Sequence, residues 1–442
     1  LILVDDFPYK SVTHFDESLG EREELKGGGR YSIFSPNFVE SAEYVPGGWS
    51  AGYGGKNASL LRMTVPKGNP SPYASFRLDY AGVELFYDGP SGFHRDTSII
   101  ATARKYDFGR FFDLIGEEDI GDAELTDINI KTHTLLNDDN ELEFLLLYNP
   151  ESSNRDVRNV LASDNLQDRE LLDTDQDAML FGSKWKHRFS DSVAWENRFF
   201  YRLWDKTSSE GEAFPFSDPE ELPPEEVPVR ENILNLREEE NEIGWRSDLF
   251  VTNGMGQLRA GLRISSLDLR YQSELDGDWI RYEFNSDDYR PDPEQKFIVL
   301  TPEQSDAYYD ENDLVYAGYL EQTFDFSLGS VTAGLRYDHD GFTGESYVSP
   351  RLNADYSISS NTRFSATAGT FYQAPRVVDR AANEANADLE WEKMQHVSIG
   401  VQHLVNDRWS ILAEAYFRKL DDLITEKDGV TGETGNFGDG DS

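Results

Sequence analysis

The sequence predicts an all-β membrane protein, an up-and-down antiparallel transmembrane β-barrel preceded by a small mixed domain. Three features lead there. From Ser349 to Pro375 two runs alternate strictly: Leu352, Ala354, Tyr356 and Ile358 share one face of the first, and Phe364, Ala366 and Ala368 share one face of the second. A strand has side-chain period two, so each run sets an apolar row against one medium and a polar row against another. Ser359 to Thr362 between them reads as a hairpin turn. The same device repeats from residue 72 to the end of the chain. Lastly, short connections alternate with long acidic ones from Asn137 onward, as in outer-membrane barrels with turns at one end and loops at the other. A soluble meander has no physical reason to keep its long loops together.

The totals fit this reading and remove others. The chain has 442 residues, a formal charge of −42 and no cysteine, with a mean hydropathy of −0.61. It holds no run of about 18 apolar residues, which excludes a helical span. Low mean hydropathy is compatible with a barrel, because only alternate residues face lipid and the lumen can be polar. Aromatic residues make up 13% of the chain, and Tyr and Phe near strand ends fit interfacial girdles. The lack of cysteine removes a disulfide scaffold and a thiolate metal site. Such acidity argues against a nucleic-acid partner; it suits cationic ligands, divalent ions or simple solubility.

In chain order, LILVDDFPY reads as a strand. It has no Met, charged n-region or cleavage site, so a mature or truncated chain is expected. Short strands between Gly and Pro turns make residues 1–69 a small mixed domain, with Pro66 to Pro70 as its exit linker. Strands are expected at Tyr73–Tyr80, Val83–Tyr87, Thr97–Tyr106, Leu125–Leu136, Glu141–Tyr148, Ala178–Phe189, Ala194–Trp204 and Glu242–Val251. The series continues at Gln257–Tyr271, Leu314–Phe326, Val331–His339, Ser349–Ser357, Arg363–Tyr372, Met394–Leu404 and Trp409–Leu420. Many approach the roughly 9–11 residues that a tilted strand needs to cross a bilayer. The long connections fall at 149–177, 205–241, 272–313 and 376–393, with a shorter one at 340–348. Within them residues 225–242 read as a mobile charge run.

The residues SPRLNADYSISSNTRFSATAGTFYQAP, LEWEKMQHVSIGVQHL, WSILAEAYFRKLDDLI and NFGDG resemble the TonB-dependent outer-membrane receptors. Ser349-Pro350-Arg351, the segment from Gly369 to Pro375, and Asn436-Phe437-Gly438 match the family's short motifs in their order and spacing. LILVDDFPY resembles a strand of the family's plug domain, with Asp6 where Gly is usual, and Gly47, Gly48, Tyr53, Gly54 and Gly55 match a second plug segment. The resemblance implies the C-terminal half of a mixed α/β plug at 1–69, seated in the lumen of a barrel at 70–442. The family barrel has 22 strands, of which about fifteen are expected here. The N-terminal half-plug with its TonB-engaging segment, and the last barrel strands, are expected to lie outside this stretch.

By the same resemblance, ligand is held between extracellular loops and the plug apex. That points to His14, Phe15, Arg30 and Tyr31 at the apex, and to Trp279, Tyr282 and Tyr289 in a loop. Against this, Arg30 is as well explained by pairing with a wall carboxylate, and the loop aromatics by anchoring to the barrel rim. Gly47, Gly48, Gly54 and Gly55 serve tight turns and close approach to the wall. Gly27 to Gly29 lack the Lys-Ser/Thr of a phosphate loop. Asp173, Asp175 and Asp177 imitate a calcium loop, yet Ala178 and Lys184 replace its required Gly and Glu, which favours a solvated acidic loop. His396 and His403 read as structural or interfacial, and Asn57-Ala58-Ser59 as a coincidental glycosylation match. No zinc-protease, nucleophile-elbow or glycosidase pattern emerges, so no enzyme, resident metal or cofactor is expected; iron borne by the ligand and weak surface binding of divalent cations remain open.

The function implied is active import of a scarce nutrient across the outer membrane of a Gram-negative bacterium, foremost a ferric siderophore. The implied partners are the inner-membrane TonB complex, outer-membrane lipid and lipopolysaccharide, the small-molecule or oligomeric nutrient, and a surface or periplasmic protein. A polar, water-lined plug–wall interface would let the plug move. The rival readings are an oligosaccharide receptor of the same family, a non-energised adhesin or pore, and a soluble multi-domain carbohydrate-binding protein or enzyme.

Overall fold

The computed structural model describes residues 1–15, 31–163, 169–214, 223–284, 291–428 and 433–441. Its N-terminal segment contains β1 (Ile2–Val4), β2 (Phe7–Tyr9), β3 (Thr13–His14), β4 (Tyr31–Ser32), β5 (Ser41–Val45) and β6 (Leu60–Thr64). Asp5 and Asp6, with φ of 51° and 69°, make the tight turn between β1 and β2. Strand β6 lies parallel to β1 and antiparallel to β5, which gives the order β2-β1-β6-β5.

The wall begins with β7 (Tyr73–Leu78), β8 (Gly82–Pro90), β9 (Thr97–Asp107), β10 (Asp122–Asn137), β11 (Asn140–Tyr148), β12 (Glu151–Arg155), β13 (Glu170–Ser190), β14 (Val193–Ala213), β15 (Val229–Asn253) and β16 (Gly256–Leu275). A separate hairpin, β17 (Trp279–Phe284) and β18 (Pro291–Leu300), sits in the next connection. The wall resumes with β19 (Ala307–Phe326), β20 (Gly329–Asp340), β21 (Ser346–Ser359), β22 (Thr362–Gln373), β23 (Glu392–Asn406), β24 (Trp409–Asp428) and β25 (Glu433–Asp441). Successive strands pair antiparallel into one barrel sheet. Pro150 lacks the N–H that a ladder needs and splits one wall position into β11 and β12, both of which pair with β10 and β13.

Each of the fifteen expected strands is present. The last strand, β25, carries Asn436, which the sequence had placed near a loop. Many strands are also longer than expected. Strand β15 spans 25 residues, so the charge run at 225–242 is mostly ordered strand rather than mobile coil. Its Glu238, Glu240 and Glu242 alternate with outward residues and reach cations inside the barrel, which hydropathy alone does not reveal. Likewise Asp173, Asp175 and Asp177 lie on β13 with their side chains exposed, not in a loop.

The two faces of the wall are inverted relative to a soluble protein. Outward residues such as Leu262, Ile264, Leu320, Leu335 and Leu352 are apolar and exposed. Their inward neighbours Ser265, Glu321, Arg336, Asp338 and Arg351 are polar and buried. Charges are rarely buried without partners, so this pattern requires hydrocarbon outside and a filled polar lumen within. No helix among the described residues is long and apolar enough to cross a membrane; the strands do so.

The N-terminal segment fills that lumen. Val4, Phe7, Phe34 and Val65 pack on Leu145, Leu147, Leu180 and Phe200 of the wall. Leu3, Trp49 and Leu60 pack on Phe371 and Met394. The expectation of a polar plug–wall interface is corrected in part: apolar patches also seat the plug on two sides, because several inward wall positions are themselves apolar.

Candidate functional site

The turn from Trp49 to Tyr53 is held by the wall through its backbone. Arg351 Nη1 donates to the carbonyls of Trp49 (3.1 Å), Ser50 (2.5 Å) and Tyr53 (2.7 Å). Arg336 Nη1 donates to those of Ala51 and Gly52, both at 3.3 Å, while its other nitrogens grip Asp338. Glu321 accepts from the Ser50 hydroxyl (3.1 Å) and the Ala51 amide (2.9 Å). A tight turn leaves most of its carbonyls without backbone partners, and these charged groups satisfy them where water is scarce.

Glycine makes this approach possible. A Cβ on Gly54 would lie 2.1 Å from Arg336 Nε, and one on Gly48 would lie 2.1 Å from Thr367 Cγ2, with φ at +73° besides. A Cβ on Gly47 would lie 2.7 Å from His396 Nε2, and Gly55 has φ of +78° in open space.

Asp6 forms a second tie. It accepts from Tyr53 OH (3.0 Å), Arg62 Nε (2.9 Å) and Arg198 Nη2 (3.4 Å). Although burial opposes ionisation, the guanidinium groups of Arg198 and Arg62 hold the Asp6 carboxyl well below the usual range. Arg198 also pairs with Asp248, which accepts from Arg246 (2.7 Å) and Tyr319 OH (2.6 Å).

The third tie is made by β3. His14 Nε2 stands 2.8 Å from Asp127 and Nδ1 2.6 Å from Glu151, and the side chain is 1% exposed. Burial alone would lower its pKa, but the hydrogen bonds to Asp127 and Glu151 prevail and push it up to about 9. Asp127 further accepts from Arg104 and Asn149. Nearby, Lys10 pairs with Glu238 and Glu240, and Arg202 with Glu240 and Glu242.

The wall thus encloses the N-terminal segment and holds it through charged side chains. The family model "TonB dependent receptor-like, beta-barrel" matches residues 125–439. The chain belongs to this family. A ferric enterobactin receptor mutant from Pseudomonas aeruginosa aligns with 13% identity and a TM-score of 0.61, over 96% of this chain and 64% of that one. FpvA of P. aeruginosa bound to a heterologous pyoverdine gives 12% and 0.67, over 96% and 57%. The outer membrane transporter YddB from Escherichia coli gives 10% and 0.66, over 99% and 64%. At these identities the likeness is one of fold, and the chain spans less than two thirds of each of the three. No curated protein sequence matches.

In this TonB-dependent receptor barrel the residues singled out from sequence separate. His14 and Phe15 come together, their rings 6.0 Å apart, but both are buried, Phe15 with φ of 56°. Tyr31 stacks on Phe108 at 4.1 Å. Arg30 and Tyr289 lie outside the described residues, and Tyr282 lies on β17. Trp279, 2% exposed, packs with Ile233, Leu234 and Leu275, the placement of a loop anchor. Among the described residues His133, Glu141 and Glu143 bring three metal-ligating atoms within 4.8 Å. Ammonium groups already occupy them: Lys67 is 2.6 Å from Glu141, and Lys184 is 2.6 Å from Glu143.

Sequence reasoning missed the wall partners of the plug, namely Arg336, Glu321, Asp127, Glu151 and Glu238. Only Arg351 carried a signal, through its place in Ser349-Pro350-Arg351. The plug side had one in Lys10, a lone cation directly after an apolar strand.

Proposed function

We propose that the protein is an outer-membrane active transporter of a Gram-negative bacterium. It would bind a scarce nutrient, foremost a ferric siderophore, at its extracellular loops and plug apex, and import it when the TonB complex pulls on the plug. The observation that carries this reading is the seating of residues 1–15 and 31–65 within the barrel wall. A passive pore gains nothing from a separate domain that obstructs its bore, whereas a gated importer requires one. The grip is compatible with gating, because Arg336 and Arg351 hold backbone carbonyls to which water can donate once the plug shifts. Family membership and the likeness to siderophore receptors support the substrate class.

The test is uptake of radiolabelled ferric siderophores by iron-starved cells carrying or lacking the full-length gene. Uptake should require the gene and cease when the proton gradient is collapsed. Gene-dependent uptake that survives the collapse would leave a passive pore, and absence of uptake for every siderophore class would remove the iron assignment.

A further inference from the structure

We propose that the gap beneath the plug turn, between Asp6 and Tyr53 on one side and Arg198, Arg246, Arg263 and Arg336 on the other, holds a small inorganic anion of the chloride class. These six residues line one narrow gap between plug and wall. Four guanidinium groups and a single carboxylate border it.

The donors there are incompletely used. Arg246 grips Asp248 through Nε at 2.7 Å and Nη2 at 3.0 Å, and its Nη1 has no hydrogen bond among the described residues. Arg263 spends Nε on Ser265 (3.2 Å) and Nη2 on Glu242, again leaving Nη1. Arg198 Nε is buried without a hydrogen-bond partner among the described residues. Guanidinium donors that face a confined gap are normally paired, so an acceptor belongs in this space. The nearest carboxylates are committed. Asp6 already accepts from Tyr53, Arg62 and Arg198, and Asp248 from Arg198, Arg246 and Tyr319.

Size selects the kind of acceptor. The space suits a water or two, which admits a halide and excludes sulfate, phosphate or the carboxylate arm of a nutrient. The Arg246 guanidinium is fixed between the rings of Tyr53 and Tyr319, 5.2 and 5.8 Å from their centroids, so it cannot swing out to meet a larger ion. Charge selects between halide and water, because low-dielectric surroundings strengthen the attraction of guanidinium groups for an anion. The plug turn closes over the site, so release of the anion is coupled to displacement of the plug.

Crystals of the full-length protein soaked in bromide test the assignment. An anomalous peak at ionic contact distance from Arg246 and Arg263 is expected, and Arg246→Gln or Arg263→Gln should lose it. The wild type should also unfold at least about 2 °C higher in chloride than in gluconate of equal ionic strength, since gluconate is too large to enter. A gap without bromide, occupied by water alone, overturns the proposal, and so do identical unfolding temperatures in the two salts. Both wild-type measurements stand even if neither variant folds.

Discussion

Arg351 of the wall donates to the carbonyl oxygen of Tyr53 in the plug at 2.7 Å, across a sequence separation of 298 residues. The same nitrogen reaches the carbonyls of Trp49 and Ser50, while the guanidinium lies 4.4 Å from the centre of the Phe371 ring. One wall side chain thus fixes the turn that also presents Tyr53 to Asp6.

Arg351→Ala should therefore loosen that turn without unfolding the barrel. Hydrogen bonds to a charged group contribute about 1.5–3 kcal/mol each, so amide exchange across residues 49–54 should accelerate at least about tenfold. Exchange in the wall strands should stay unchanged. Equal protection of the turn in the variant would show that the apolar patch around Trp49 holds it unaided.

Two neighbouring glycines should fail for different reasons. Gly54→Ala places a Cβ 2.1 Å from Arg336 Nε, an overpacking cost of roughly 1–3 kcal/mol. Gly55→Ala meets no atom but keeps φ of +78°, a backbone cost of roughly 1–2 kcal/mol. Arg336→Ala should rescue the first and leave the second, as read by thermal unfolding. Rescue of both, or of neither, contradicts this division.

The His14 tie should weaken in alkali. Its pKa is about 9 in the folded protein against an ordinary 6.5, so protonation favours the folded state. The stabilisation is complete below about pH 6.5, declines above it, and is gone once pH passes about 9. Protease resistance of the plug should fall over that window in the wild type, and His14→Gln should remove the dependence. A wild-type profile that is flat from pH 6 to 10 would exclude His14 as the titrating group.

The outward row is tested by charge. Leu262→Arg places a cation on the lipid face and should cost about 2–4 kcal/mol if the position is near the bilayer midplane. Folding into vesicles should drop accordingly. Arg263→Leu, one residue along on the lumenal side, should insert normally and disturb Glu242 instead. Equal insertion of Leu262→Arg and wild type would contradict the assigned face.

The sequence by itself determined the wall and which of its faces looks outward. Period-two rows such as Leu352 to Ile358, and the parity of connections from Asn137 onward, are local properties, since a strand must turn alternate side chains to opposite media. The tight plug turns around Gly48 and Gly54 were legible for the same reason. Tertiary structure decided what the lumen-facing charges do. His14 meets Asp127 and Glu151 across 113 and 137 residues, and Lys10 meets Glu238 across 228. Such pairs depend on how far the sheet curls and where the plug comes to rest, and neither leaves a periodic trace along the chain. The acidic stretch at 225–242 looked like solvated coil for that reason: its cationic partners are distant in sequence and adjacent only once the barrel has formed around the plug.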